Sequence, residues 1–190
     1  MLRVNIPNFA EIVRDLSVAQ FETKSAFNQY LGGLGPNRTV ESLDEFFSRG
    51  EFHPSIRQDL ELTVVIADGL NDPEYRRRLF RREELRQALM RVMADDDLDA
   101  LLYPHQRRLV AAIGEEQLER NGVLSNATGF PAITIPGGFS PATDPAPLGV
   151  PIGIEFLGPD WSEPTLLRLA FAFEQVSGIR KPPAPTPPLN

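Results

Sequence analysis

Residues 150–158 read Val150-Pro151-Ile152-Gly153-Ile154-Glu155-Phe156-Leu157-Gly158. A proline near the start of such a run is tolerated, because the first residue of a strand need not donate to the ladder. Short apolar runs bounded by proline or glycine are typical of buried strands. Two further runs, at residues 98–104 and 131–136, have the same character. We therefore predict three short buried strands in the second half of the chain, with a loop over residues 140–149 on composition.

The last strand leads into the clearest helix of the sequence. Ser162 is a candidate N-cap, Pro164 fits the first turn, and Gly178 can end the helix. One face carries Leu166, Leu169, Ala170, Phe173 and Val176, and a second carries Leu167 and Phe171. Two apolar faces predict a helix that is buried on more than one side.

The first half of the chain has helical periodicity. Apolar residues recur from Phe9 to Leu31 on one face, and Gly32-Gly33 is expected to stop that helix. Thr39 is a candidate N-cap for a second helix, and a third is predicted over residues 73–95. Seven arginines lie on the third helix: Arg76, Arg77, Arg78, Arg81, Arg82, Arg86 and Arg91. Such a cluster could bind a phosphate or a nucleic acid. The favoured interpretation is a solvated outer face of an amphipathic helix.

Composition excludes several classes of function. The chain has 190 residues, of which 42% are hydrophobic and 24% charged, as in an ordinary globular domain. A net charge of −7 argues against nucleic-acid or anionic-membrane binding. With no cysteine and only His53 and His105 as imidazoles, we expect no metal and no cofactor. Neither a signal peptide nor an apolar run long enough for a membrane span is evident, so the default expectation is cytoplasmic.

The usual motifs of catalysis are missing from the sequence. GxSxG, GxGxxG, the P-loop and SxxK do not occur. Of the two lysines, Lys181 lies in a proline-rich tail, and we expect Lys24 to snorkel to water. Four acidic residues, Asp95, Asp96, Asp97 and Asp99, lack the glycine and glutamate of a calcium loop. His105, directly after a strand-ending proline, is the most interesting titratable residue, although a structural role in a loop is the stronger alternative.

Three segments together resemble the amidase-signature family. Residues 121–139 are similar to that family's G-x-P-A-[IV]-x-[IV]-P-x-G-[FY] strand, residues 149–158 to its G-[LV]-P-[IV]-G-[IVL]-[EQ] strand, and residues 162–175 to its S-E-x-x-L-[LI]-x-x-A-x-x-[FY]-E helix. Residues 27–31 and 98–104 resemble its LNxYL and [LI]DALVxP segments. The resemblance implies an α/β fold, specifically the C-terminal part of the amidase-signature fold. In that fold, helices pack on a few strands of a mixed sheet, here as an incomplete layer structure.

Members of that family hydrolyse linear carboxamides, or transfer ammonia from glutamine, with a Ser–Ser–Lys triad. The outer serine attacks the carbonyl, the lysine handles the proton through the bridging serine, and backbone N–H groups form the oxyanion hole. No Gly-Gly-Ser-Ser run and no matching lysine occur here, so no catalytic residue is carried over. The resemblance does carry over a role in lining the substrate funnel, with these candidates: His105, Gln106, Asn126, Thr128 and Phe130. For each of them, turn chemistry or packing is an equally good explanation.

We expect one partial amidase-like domain over residues 1–180, mainly helical over 1–97 and with strands and the final helix over 98–180. Residues 181–190 form a proline-rich tail, predicted to be extended. The leading hypothesis is a truncated or split amidase, which takes a small amide substrate only when completed by its N-terminal half. It would associate with an amidase partner or with itself. The alternatives are a non-catalytic partner module derived from an amidase, or a truncated reading frame.

Overall fold

The computed structural model describes residues 1–144 and 146–180. The predicted extended tail, residues 181–190, lies outside the described residues. The chain forms two compact units, which we call the helical unit (Phe9–Glu84) and the sheet unit (Met1–Asn8 together with the chain from Leu85 onward).

The helical unit contains α1 (Phe9–Ile12), α2 (Ala19–Gly33), α3 (Leu43–Arg49), α4 (Arg57–Val64) and the first half of α5 (Pro73–Asp95). Helix α2 packs against α3 and α4. Phe21, Leu31 and Leu43 are buried there at 3%, 4% and 1% exposure. Removing these side chains from water is the main source of this unit's stability.

Two predictions for this unit were wrong. The single helix expected from Phe9 onward is broken into α1 and α2, and Asp15 between them has a left-handed φ of 52° that helical backbone does not allow. The residue that caps α3 is Ser42 rather than Thr39, and its Oγ accepts from the N–H of Glu45 at 3.2 Å. Ser42 and Glu45 have the spacing of a capping box. The predictions for α5 and for the end of α2 at Gly33 are confirmed.

The sheet unit contains β1 (Leu101–Pro104), α6 (Val123–Thr128), β2 (Ala132–Phe139), β3 (Pro151–Leu157) and α7 (Glu163–Ser177). Its three strands lie in the order β1-β3-β2. The three predicted strands and the α/β class are confirmed. Both pairings among the described strands are antiparallel, whereas a mixed sheet was expected. Only about a dozen residues join β2 to β3. A connection this short favours an antiparallel pair over a parallel pair, which needs a longer crossover.

Helix α7 covers one face of the sheet. It packs on β2 and β3, and Leu166 and Ala170 are buried at 2% and 5% exposure. Gly178 ends it with a φ of 56°, as predicted, and Ser162 holds the N-cap position without a capping hydrogen bond from its side chain. The expected second buried face is absent: Leu167 and Phe171 are 60% and 64% exposed. The apolar pattern is present on this face, but nothing among the described residues covers it.

Candidate functional site

A row of three side chains crosses the sheet. In the strand register, Tyr103 of β1 and Thr134 of β2 both lie opposite Glu155 of β3. Directly opposed residues project from the same face of an antiparallel sheet. The three side chains are therefore brought together by strand pairing alone.

The carboxylate of Glu155 is the centre of the site. Glu155 is only 4% exposed. Its Oε1 accepts from the Tyr103 hydroxyl, and its Oε2 lies 2.7 Å from His105 Nδ1 and 3.2 Å from Thr134 Oγ1. A buried carboxylate is costly unless such donors satisfy it. Three donors on two oxygens therefore satisfy this buried carboxylate.

Burial raises the pKa of the Tyr103 phenol, and the hydrogen bond to Glu155 and the charge of that carboxylate raise it further. Ionising the phenol would put a second negative charge beside the first. Tyr103 is therefore a permanent donor to Glu155 and cannot serve as a base in this arrangement.

His105 is fixed from several directions. Its backbone N–H donates to the carbonyl of Gly153 at 3.1 Å, and its own carbonyl accepts from Asn121 N at 2.9 Å. Gly122 lies against the ring so closely that a Cβ there would come within 2.5 Å of His105 Cε1. Since an ionised carboxylate only accepts, Nδ1 carries the proton in its bond to Glu155. The ring is held in one orientation, with its other edge turned away from Glu155.

The five predicted funnel residues separate into two groups. His105 and Gln106 both line a cavity whose lining also includes Thr134 of β2 and Gly153 of β3. Gln106 pairs with Arg120 in an isolated β-bridge. The structure thus brings two of the candidates to one cavity, and one of them, His105, contacts Glu155.

The other three candidates lie on or just after α6. Asn126 is exposed. Thr128 Oγ1 donates to the Leu124 carbonyl at 2.7 Å and accepts from the N–H of Phe130 at 3.2 Å. Phe130 is 2% exposed under the Arg86 guanidinium, which lies 4.6 Å from the ring centroid. These contacts give Thr128 and Phe130 a packing role, and contact of any of the three with a ligand stays a prediction.

Sequence reasoning missed Glu155, Tyr103 and Thr134 as site residues. A signal for Glu155 was present, since a carboxylate inside an otherwise apolar strand needs buried partners. The partners themselves depend on strand register, which a single sequence does not reveal. The glycine at position 153 leaves room for Thr134, since a Cβ there would lie 3.0 Å from Thr134 Cγ2.

Other charged groups are accounted for by local pairing. Lys24 Nζ bonds Asp44 at 2.9 Å, and Glu74 pairs with both Arg77 and Arg78 on α5. Within residues 1–144 and 146–180, no group of three or more His, Asp or Glu side chains is arranged to hold a metal ion. No helix in the same ranges is long and apolar enough to cross a membrane.

The fold is an α/β arrangement in which three strands, paired across Glu155, are covered on one face by a helix. A family model described as Amidase matches residues 1–167. The chain belongs to the amidase family.

Its relatives are much longer than it is. A probable amidase of Arabidopsis thaliana is 30% identical over 191 aligned positions, which cover 95% of this chain and 33% of that protein. A glutamyl-tRNA(Gln) amidotransferase subunit from Exiguobacterium is 27% identical over 78% of this chain and 32% of its own length. The peptide amidase of Stenotrophomonas maltophilia superposes with a TM-score of 0.73 and 25% identity, over 95% of this chain and 37% of that one. This chain spans about a third of the length of the relatives it matches.

Proposed function

We propose that this chain is the C-terminal portion of an amidase and that its reaction is the hydrolysis of linear carboxamides by a serine supplied from another segment. One observation carries the proposal: the family match runs over residues 1–167, yet the chain spans only 33% of the Arabidopsis relative. The sequence has no Gly-Gly-Ser-Ser run and no lysine in a comparable setting. The attacking group must therefore come from outside these residues.

The contribution of this chain would be a wall of the substrate funnel. His105 and Gln106 border the cavity beside the Glu155 carboxylate, where an amide could be held by hydrogen bonds. Asn126, Thr128 and Phe130, on and after α6, would support a neighbouring part of that wall. Such positioning can supply a large share of a rate enhancement without any reactive group of its own.

The second face of α7 supports association with the rest of the enzyme. Leu167 and Phe171 are four residues apart, so they project on the same side of the helix. Both are more than half exposed, and contiguous apolar surface of this kind marks an interface. We propose that the remaining layer of the amidase covers it. Relatives named as one subunit of an amidotransferase are consistent with work inside an assembly.

The proposal is tested with a companion segment, meaning a polypeptide from the same genome that carries a Gly-Gly-Ser-Ser run and the family's lysine. The two are co-expressed and assayed on an aryl amide such as 4-nitroacetanilide. Hydrolysis that needs both polypeptides, and that is lost when the companion's serines are changed to alanine, is the expected result. A stable complex without turnover would favour a non-catalytic partner module, and no association at all would contradict the proposal.

A further inference from the structure

A cavity of about 370 Å³ opens beside the His105–Glu155 pair. Residues 105–110 line it together with Thr134, Pro151, Ile152 and Gly153. Its volume lies within the range of small-molecule sites, which are mostly apolar with a few converging polar groups. Nothing in the amidase reaction as proposed says what kind of ligand it takes.

Two arginines, Arg107 and Arg108, line the polar end of the cavity. Arg107 Nε and Arg108 Nε lie 3.9 Å and 3.5 Å from the same carboxylate, that of Glu119. Two guanidinium groups, which stay charged at any physiological pH, therefore share one counter-ion. The other acid near the cavity, Glu155, is already satisfied by three donors.

His105 adds a directional contact. Glu155 holds Nδ1 at 2.7 Å, and within the described residues no hydrogen bond reaches Nε2. With the proton on Nδ1, Nε2 keeps a lone pair that can accept from an N–H group of a ligand, such as an amide. A side chain at Gly122 would collide with the ring at Cε1.

The remaining surface of the cavity is apolar. Leu109 and Val110 line it while being 48% and 68% exposed, and Ile152 lines it too. Apolar side chains this exposed gain from covering a hydrocarbon group.

We infer that this cavity binds an apolar carboxylate. Arg107 and Arg108 would hold the carboxylate beside His105, and Leu109, Val110 and Ile152 would pack on the hydrocarbon. The inference rests on the proposed function only for the origin of the ligand. That ligand would be either the acid released from an amide or an amide substrate that also carries a free carboxylate. Binding itself requires no catalysis.

The test uses the full chain with ¹⁵N-labelled histidine, in which only two imidazoles give signals. His53→Gln identifies the resonances of His105. Three probes are titrated: benzoate (a bare acid), hippurate (an amide with a free carboxylate) and benzamide (a neutral amide). Benzoate and hippurate should shift the ¹⁵N resonance of His105 Nε2 saturably.

The double substitution Arg107→Gln with Arg108→Gln should weaken that binding by roughly tenfold or more, since each charged hydrogen bond is lost. Arg91→Gln, an exposed arginine of α5, is the matched control and should leave binding unchanged.

Tighter binding of hippurate than of benzoate would assign the carboxylate to the substrate, and the reverse order would assign it to the product acid. Absence of any saturable shift, binding of benzamide as tight as that of benzoate, or binding that survives loss of both arginines would overturn the inference. Failure here would leave companion-dependent amide hydrolysis untouched. Failure of that hydrolysis would equally leave the probe titration interpretable.

Discussion

The buried carboxylate of Glu155 decides the chemistry of the sheet face. Tyr103, Thr134 and His105 all donate to it, and Glu155 is 4% exposed. His105 could be singled out from the sequence because it follows a strand-ending proline. Its partner could not, because a shift of one residue in strand register would turn Glu155 to the opposite face.

Removing the phenol should weaken the fold. Tyr103→Phe takes one donor from a buried carboxylate, which we expect to cost about 1–3 kcal/mol of unfolding free energy. Urea unfolding followed by circular dichroism measures the change. Tyr30→Phe, at a ring that is 64% exposed, is the control and should be neutral. Equal stability of Tyr103→Phe and the parent chain would show that the bond to Glu155 contributes little.

The raised pKa of Tyr103 also predicts a loss of stability in alkali. The folded chain keeps the phenol proton at a pH where the unfolded chain, with an ordinary tyrosine pKa of about 10, releases it. The folded state then holds a proton that the unfolded state has lost. The unfolding free energy is therefore fully retained below about pH 10 and falls as the pH rises further. Unfolding free energies measured across this range should fall less steeply in Tyr103→Phe. Identical pH profiles for the two proteins would contradict the assigned burial.

The close contact between Gly122 and His105 gives a further prediction. In Gly122→Ala the new methyl group would lie 2.5 Å from His105 Cε1, so the ring must move. We expect the ¹⁵N resonances of His105 to shift and benzoate binding to weaken. Gly32→Ala is the control, since no atom lies within 4 Å of a Cβ at Gly32. Unchanged His105 resonances in Gly122→Ala would show that the ring is not held there.

Helix α7 shows what periodicity can and cannot predict. Its bounds and its two apolar faces were predicted from the sequence. The structure confirms the bounds and buries Leu166 and Ala170 of the first face, whereas Val176 at its end is 90% exposed. The other face is exposed because burial depends on what is available to pack against it. In the same way, α1 and α2 share one apolar pattern that a single left-handed residue, Asp15, divides.

Two adjacent leucines of α7 test this interpretation. Leu166 is 2% exposed and Leu167 is 60% exposed. Leu166→Ala should cost about 2–5 kcal/mol, because it leaves a cavity between α7 and the sheet. Leu167→Ala should change the unfolding free energy by no more than about 0.5 kcal/mol, as at other surface positions. Similar losses in both variants, measured by urea unfolding, would mean that the second face is already covered in the isolated chain.

The chain as a whole shares the amidase family's sequence pattern and fold over about a third of the length of its relatives. The α/β class and the family could be predicted from residues 121–139, 149–158 and 162–175, because these motifs carry turns and strand starts that depend on local sequence. The antiparallel order β1-β3-β2 could not, since it is fixed by contacts between distant residues. The funnel role of His105, Gln106, Asn126, Thr128 and Phe130 stays a prediction.

The most direct measurement is the rate at which the purified chain, free of any companion, hydrolyses 4-nitroacetanilide. A serine nucleophile needs an activating base and an oxyanion hole, and the sequence contains no Gly-Gly-Ser-Ser run of the family's kind. We expect no hydrolysis above the uncatalysed rate until the companion segment is added. Turnover at an enzymic rate by the chain alone would contradict the claim that its catalytic groups lie elsewhere.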